Sequence, residues 1–213
     1  VFAPSAEYSG AGAAIGHLSA GIADVHHVER AEMPDVQSAH HLDAPPALAS
    51  LLACQGLLGP APDLVVSGIN PGWNVGHAVH FSGTIGACIT ANMFGIPCIA
   101  VSQDIAGDQQ HWPTAAQAAV DQIDRVMASG ELLNVNVPNV SMEKILGVTG
   151  TTLSRRIPYG LQSPELHHVA EGRSRVSFET SSKYESPSGS DTDAVLAGYV
   201  SVTPLQSTRA VAR

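Results

Sequence analysis

Residues that could bind a metal ion or a phosphate group follow an apolar run near the middle of the chain. Leu64-Val65-Val66 leads directly into Ser67-Gly68-Ile69-Asn70. Such a short apolar run is typical of a buried strand in a parallel sheet, and ligands bind beyond the carboxyl ends of these strands. The amide oxygen of Asn70 is a hard ligand suited to Mg²⁺ or Mn²⁺, and nearby glycines let the backbone approach a ligand closely. The sequence therefore predicts a ligand site at Asn70.

A second group of candidate residues, Ser82-Gly83-Thr84, begins a predicted helix. Ser82 is a suitable N-cap, and the free amides and two hydroxyls of this turn would cradle a phosphate. A glycine-rich loop, residues 71–81, joins this group to Asn70. We predict that a phosphate group is bound by Asn74, Gly76, Ser82, Gly83 and Thr84. Taken singly, each residue has a simpler interpretation, since asparagines often satisfy turn backbone and Ser82 could be only a cap.

A third candidate, Ser9, lies in the loop that follows the short apolar stretch Val1-Phe2-Ala3-Pro4. The spacing of Gly10, Gly12 and Gly16 faintly resembles a dinucleotide-binding fingerprint. However, no apolar helical face follows Gly16, so the pattern does not favour a nicotinamide-dependent oxidoreductase.

Histidines and arginines near these segments are weaker candidates. His77 and His80 could contact phosphate or metal, although loop histidines facing solvent are the simpler interpretation. Arg155 and Arg156 could either reach a substrate phosphate or form a solvated pair. The adjacent pairs His26-His27, His40-His41 and His167-His168 do not have zinc-site spacing.

The elements that must position the candidates alternate between strands and helices. Apolar runs at residues 64–66, 98–101 and 132–137 predict strands, and helical periodicity predicts helices that begin near Pro45, Ser82 and Pro113. The helix from Pro113 is expected to continue through Met127 and to end at Gly130. This alternation predicts an α/β fold with a Rossmann-like, mostly parallel sheet flanked by helices.

The character of the sequence changes after Pro138. Residues 1–138 are predicted to form the α/β core, in which a first strand and helix are expected to be missing. Residues 139–213 are predicted to form a C-terminal extension with a β-hairpin arm used in oligomerisation and a strand that returns to the sheet. Alternation at residues 199–203 is typical of such a half-buried strand.

Composition excludes several classes of protein. The 213 residues carry a formal net charge of −9, so binding to a nucleic-acid polymer or to an anionic membrane is not expected. No apolar stretch reaches the roughly 18 residues of a membrane-spanning helix. The three cysteines lie in apolar runs without a Cys-x-x-Cys pair, which favours a reducing, cytoplasmic setting over a disulfide framework.

The longest motif resembles a known family. Residues 67–76, 81–87 and 95–102 closely resemble the SurE survival-protein family of nucleotidases. Residues 1–4 with Ser9-Gly10 are similar to that family's second strand and serine loop, and residues 132–138 and 190–205 are similar to its later blocks. Most of the chain is covered, and residues 154–188 are the least distinctive.

This resemblance implies an enzyme that hydrolyses nucleoside 5′- or 3′-monophosphates with a divalent metal ion, Mg²⁺ or Mn²⁺. It also implies a homodimer or homotetramer. In the family, a serine, an asparagine and the two aspartates of an Asn-Asp-Asp-Gly motif hold the metal. Ser9 and Asn70 correspond to the serine and the asparagine, and would be both metal ligands and catalytic residues.

The aspartate pair has no counterpart in this sequence and is expected to lie upstream of Val1. The 213-residue chain is therefore expected to be inactive alone. The alternative is a SurE-like scaffold that binds nucleotide or a partner without hydrolysis. An upstream Asn-Asp-Asp-Gly motif would favour the enzyme over the scaffold.

Overall fold

The computed structural model describes residues 1–16, 21–29, 33, 35–155, 162–179 and 186–207. Its strands are β1 (Phe2–Pro4), β2 (Val25–His27), β3 (His40–Leu42), β4 (Val65–Pro71), β5 (Cys98–Gln103), β6 (Leu132–Val137), β7 (Val148–Gly150), β8 (Gln162–Ala170), β9 (Arg173–Glu179) and β10 (Val200–Leu205). Its helices are α1 (Pro46–Cys54), α2 (Gly83–Met93), α3 (Trp112–Val120), α4 (Ile123–Ser129) and α5 (Asp191–Leu196), with 3₁₀ turns at Gly76–Phe81 and Met142–Lys144.

The largest sheet has five strands in the spatial order β4-β5-β6-β10-β7. Strands β4, β5 and β6 are parallel, β10 runs antiparallel to β6, and β7 is parallel to β10. The predicted α/β fold with a mostly parallel sheet flanked by helices is confirmed. The extension also contains a hairpin, because β8 and β9 pair in antiparallel fashion.

Strands β5 and β6 lie inside the sheet and are buried along their whole lengths. One face of the sheet packs on α3 and α4, through Ala115, Ala118 and Val126. The other face packs on α2, through Ile85 and Cys88. Two covered faces explain why these strands are continuous or near-continuous apolar runs in the sequence.

Strand β4 differs from its prediction in two ways. It does not stop at Ser67 but continues to Pro71, because Asn70 and Pro71 still pair with Ser102 and Gln103 of β5. It is also not covered on both faces. Val66 is 51% exposed because β4 is the edge of the five-stranded sheet.

The single helix predicted from Pro113 through Met127 is two helices, α3 and α4. The amide of Gln122 bonds to the carbonyl of Ala119, three residues earlier, which makes a tight turn between them. The predicted stop is confirmed, since Gly130 adopts a left-handed conformation with φ of 70°.

A second, smaller sheet has the order β1-β3-β2, with β1 parallel to β3 and β2 antiparallel to β3. It has its own apolar cluster, in which Leu42 packs with Leu48 of α1. Helix α1 joins the two sheets because it packs on both β1 and α2.

A cavity of about 650 Å³ lies between the two sheets. Strand β1 lines one side and β4 the other, with small residues such as Ala49 of α1 and Ala87 of α2 between them. Within the described residues, each of these strands is paired along one edge only. We call this cavity the slot.

The described part of the chain contains no helix both long and apolar enough to cross a membrane. Arg155 is exposed, and its neighbour Arg156 lies outside the described residues.

Candidate active site

Asn70 lies at the carboxyl end of β4, opposite Ser102 of β5. Gly68 permits this close pairing, since a β-carbon there would collide with the carbonyl oxygen of Val101. The Asn70 Nδ2 atom donates to the carbonyl of Gly72 at 2.7 Å, and the Thr84 hydroxyl donates to its Oδ1 atom at 3.3 Å. The structure therefore brings Asn70 and Thr84 together, as a shared ligand site requires.

The first turn of α2 begins where the sequence predicts. Ser82 is the N-cap, and its hydroxyl oxygen accepts a hydrogen bond from the Ile85 amide at 3.2 Å. This uses one of the amides that a helix start leaves unpaired. Within the described residues, the amides of Gly83 and Thr84 donate to no backbone acceptor. They are therefore available to an anion.

The loop that carries Ser9 packs against this turn. The Gly12 amide donates to the Phe81 carbonyl at 3.0 Å. A β-carbon on Gly86 would collide with the Gly12 carbonyl, so this contact requires glycine in α2. Ser9 itself is exposed, and its hydroxyl donates to Glu7 at 2.6 Å. Ser9 is thus near the helix start, with its hydroxyl directed to a neighbouring carboxylate.

Asn74 is only 4% exposed, and its polar groups bond within the chain. Its amide donates to Asn136 Oδ1 at 2.8 Å, its Nδ2 atom donates to the Ser102 hydroxyl at 2.7 Å, and its carbonyl accepts bonds from Asn134 and Asn136. The Gly76 amide donates to Asp191 at 2.7 Å. Phosphate binding by Asn74 and Gly76 stays a prediction, since these groups already hold the loop in place.

Three residues that hold this loop were missed by the sequence reasoning. Asn134 and Asn136 lie in β6 with no exposure, and Asp191, also fully buried, is the first residue of α5. The available signal was the pair of asparagines inside an otherwise apolar strand, because buried polar side chains require hydrogen-bond partners. Asp191 gave no comparable signal.

Two carboxylates on the segments that follow β1 and β3 are bonded to serines. Glu7 accepts from Ser9, and Asp43, which follows β3, accepts from Ser5. No group of three or more His, Cys, Asp or Glu residues in the described ranges could hold a metal ion. Ser9 and Asn70 are neutral, and two neutral oxygens alone do not fit a hard divalent cation.

The two loop histidines, His77 and His80, do not belong to a group of described residues that could hold a metal ion. His77 and His80 are exposed, with ring centroids 6.2 Å apart.

Cys88 is fully buried, and burial raises the pKa of its thiol well above the usual range. The Cys88 thiol is therefore chemically inert, because the reactive form of cysteine is the thiolate.

The fold and the site define an α/β protein whose candidate ligand loops meet at the carboxyl ends of parallel strands. Residues 1–159 match the family described as Survival protein SurE. The chain belongs to the SurE family, as the resemblance in the sequence implied.

Individual relatives agree with this membership. The chain is 37% identical over 163 residues to a 5'-nucleotidase SurE of Symbiobacterium thermophilum, covering 75% of this chain and 63% of that protein. It is 34% identical over 172 residues to a 5'/3'-nucleotidase SurE of Edwardsiella ictaluri, covering 78% of this chain and 65% of that protein. The chain thus spans less than two thirds of the length of either relative.

A solved structure is also similar. The SurE protein from Aquifex aeolicus superposes with a TM-score of 0.74 at 28% identity, over 96% of this chain and 81% of that one. The likeness extends to nearly the whole chain, including the part beyond residue 159.

Proposed function

We propose that this protein acts as a phosphatase on nucleoside 5′- or 3′-monophosphates. The observation that carries this proposal is the contact between Thr84 and Asn70, which joins a strand-end ligand to the open amides of a helix start. Relatives named as nucleotidases support the choice of substrate. The expected cofactor is Mg²⁺ or Mn²⁺.

The residues of this chain would bind and orient the phosphate. The amides of Gly83 and Thr84 point outward from the first turn of α2, where the helix dipole favours negative charge. The Thr84 hydroxyl can contribute a further polar contact. Donors already fixed by α2 need no rearrangement as charge grows on the phosphoryl oxygens, which lowers the barrier.

The metal would need carboxylates in addition to Ser9 and Asn70. The slot suggests where these carboxylates could be placed, since a strand between β1 and β4 would end beside Asn70. The Tyr8 carbonyl and Pro46, which follow β1 and β3, both lie near Gly83, so the carboxyl ends of β1, β3 and β4 are on the same side. A parallel strand in the slot would direct its carboxyl end to this side too.

The test is to compare the 213-residue chain with a longer form that carries an upstream Asn-Asp-Asp-Gly strand. We expect the longer form to bind Mn²⁺ in calorimetry and to hydrolyse nucleoside monophosphates, and the short form to do neither. Equal binding and turnover by the short form would place the carboxylates within this chain. Asp43, Asp104 and Asp191 would then be the first to replace, and each of them already accepts at least one hydrogen bond within the chain.

A non-catalytic nucleotide-binding scaffold is the second candidate. The lack of a metal-binding carboxylate cluster within the described residues favours it. Calorimetry with a nucleoside monophosphate would then show binding to both forms of a scaffold, and the turnover assay would show hydrolysis by neither.

Assembly into a homodimer or homotetramer is proposed through the β8–β9 hairpin. Leu166 is 73% exposed and Phe178 is 43% exposed on this two-stranded ribbon. An isolated hairpin is only marginally stable in water, so covering these side chains would stabilise it. Sedimentation of Leu166→Ser against the unmodified chain tests the proposal, and an unchanged oligomeric state would contradict it.

A further inference from the structure

Asp191 connects parts of the molecule that are far apart in sequence. Its Oδ2 atom accepts from the Gly76 amide at 2.7 Å, at the start of the 3₁₀ turn in the site loop. Its Oδ1 atom accepts from the Ser154 amide at 2.9 Å and from the Thr192 amide at 2.8 Å. One carboxylate therefore holds the site loop with one oxygen and the segment before β8 with the other.

The chain between Ser154 and Ser190, which carries β8 and β9, is here called the arm. Both ends of the arm are hydrogen-bonded to the segment around Asp191. Thr152 forms a parallel bridge with Ser190, and the Asp191 amide donates to the Thr152 carbonyl at 2.8 Å. The hydroxyls of Ser154 and Thr192 lie 2.8 Å apart. A displacement of these two ends of the arm, at Ser154 and Ser190, would therefore move the Asp191 carboxylate.

The Asp191 link is buried and formed by hydrogen bonds alone. Asp191 is 0% exposed, Thr192 is 1% and Ser154 is 3%. Within the described residues, no cation forms an ion pair with Asp191. The charge of a buried carboxylate is then balanced by its backbone donors, and removal of that charge should release those donors.

We propose that Asp191 is a positioning residue that couples the two ends of the arm, at Ser154 and Ser190, to the site loop, so that the position of these ends sets the geometry of residues 74–81. The coupling itself does not depend on catalysis. Its importance for phosphate binding rests on the proposed function.

The experiment is hydrogen–deuterium exchange on the 213-residue chain carrying Asp191→Asn. The Asn side chain keeps the shape but turns an NH₂ group toward a backbone N–H. We expect exchange at least about tenfold faster in peptides from residues 74–81 and 151–155, the ratio expected for loss of a hydrogen bond to a charged group. Peptides from β5 and β6 should be unchanged.

Asp193→Asn is the matched control, since Asp193 lies in the same helix and, among the residues that the structure describes, its carboxylate accepts from Gly189 and not from the site loop. It should leave the 74–81 peptides at the wild-type rate. Two outcomes with Asp191→Asn would overturn the proposal. In one, only the 151–155 peptides change; in the other, all elements exchange faster together, as for a general loss of stability.

A second variant, Thr192→Val, decides the question if Asp191→Asn does not fold. It removes the hydroxyl that contacts both Ser154 and Asp191 and leaves the carboxylate in place. Faster exchange in both peptide groups would support coupling, and any other pattern would overturn it. If inorganic phosphate fails to protect residues 82–86 in the longer form supplied with Mn²⁺, the proposed function fails, while the exchange comparison on the 213-residue chain still decides the coupling.

Discussion

The hydroxyl oxygen of Thr84 lies 3.3 Å from the Oδ1 atom of Asn70. Asn70 is the last residue but one of β4, and Thr84 belongs to the first turn of α2. The oxygen that we expect to bind a metal is thus the acceptor for a residue that we expect to bind phosphate. The two predicted sites are adjacent, and substitutions at either residue should affect a common function in different ways.

Asn70→Ala should abolish metal-dependent phosphatase activity in the longer form that carries the carboxylates. The variant removes a ligand oxygen from a half-buried position without removing core volume, so unfolding should become easier by no more than about 1.5 kcal/mol. Turnover of p-nitrophenyl phosphate and thermal unfolding are the measurements. Asn92→Ala, in α2 and distant from the loop, is the control; wild-type turnover by Asn70→Ala would remove Asn70 from the ligand set.

Thr84→Val should weaken inhibition by inorganic phosphate, because it replaces a hydroxyl at the helix start with a methyl group of the same shape. We expect the inhibition constant to rise by about tenfold, as for the loss of one hydrogen bond. Thr90→Val is the matched control, since that hydroxyl bonds only to the Gly86 carbonyl within the helix. An unchanged inhibition constant for Thr84→Val would count against phosphate binding by this residue.

Gly86→Ala should detach the loop that carries Ser9 from α2. The added methyl group meets the Gly12 carbonyl, a backbone atom that cannot rotate away, and overpacking of this kind costs about 1–3 kcal/mol. Hydrogen exchange should rise in residues 8–14, and thermal stability should fall. Gly150→Ala is the control because open space surrounds that position. If both variants behave alike, the Gly12–Gly86 contact is not what holds the loop.

His40 should make the small sheet, which contains paired histidines, sensitive to acid. The rings of His26 and His41 stack at 4.8 Å, and those of His27 and His40 meet at 5.2 Å. Burial, followed by the charge of His27, lowers the pKa of His40. A histidine with a lowered pKa in the folded state binds protons more readily when unfolded, so its contribution to stability is lost as the pH falls below about 6.5.

We therefore expect amides of β2 and β3 to exchange faster at pH 5 than at pH 7.5, after correction for intrinsic rates. His40→Gln should reduce this difference, because it removes the shifted group. His167→Gln, on the hairpin, should leave it unchanged. A pH dependence that is identical in His40→Gln would assign the effect to other groups.

Much of the fold could be predicted from local patterns. Residues 132–137 become β6 as expected, because two covered faces require a largely apolar strand. The Ser82 cap was also predictable, since it depends on neighbours three residues away. In contrast, the edge position of β4 depends on which strand pairs beside it, and that information is not local. The exposure of Val66 follows from this position.

In the candidate site too, local patterns predict some residues, whereas the roles of others depend on contacts that are distant in sequence. Asn70, Ser82 and Thr84 could be proposed because their residue types follow a strand or begin a helix. The role of Asp191 could not be, since it contacts an amide 115 positions earlier in the chain. The break between α3 and α4 was also missed, since the apolar period continues across Gln122 although the hydrogen bonding does not.

The position of β10 in the sheet has a consequence for synthesis on the ribosome. It is the last strand along the described chain, yet it lies between β6 and β7. As the chain emerges, the edges of β6 and β7 that face each other remain without a partner until residue 205 has left the exit tunnel. The nascent chain thus exposes two unpaired edges from the emergence of β7, which ends at Gly150, until β10 follows, and this interval is when binding by a chaperone would protect it most.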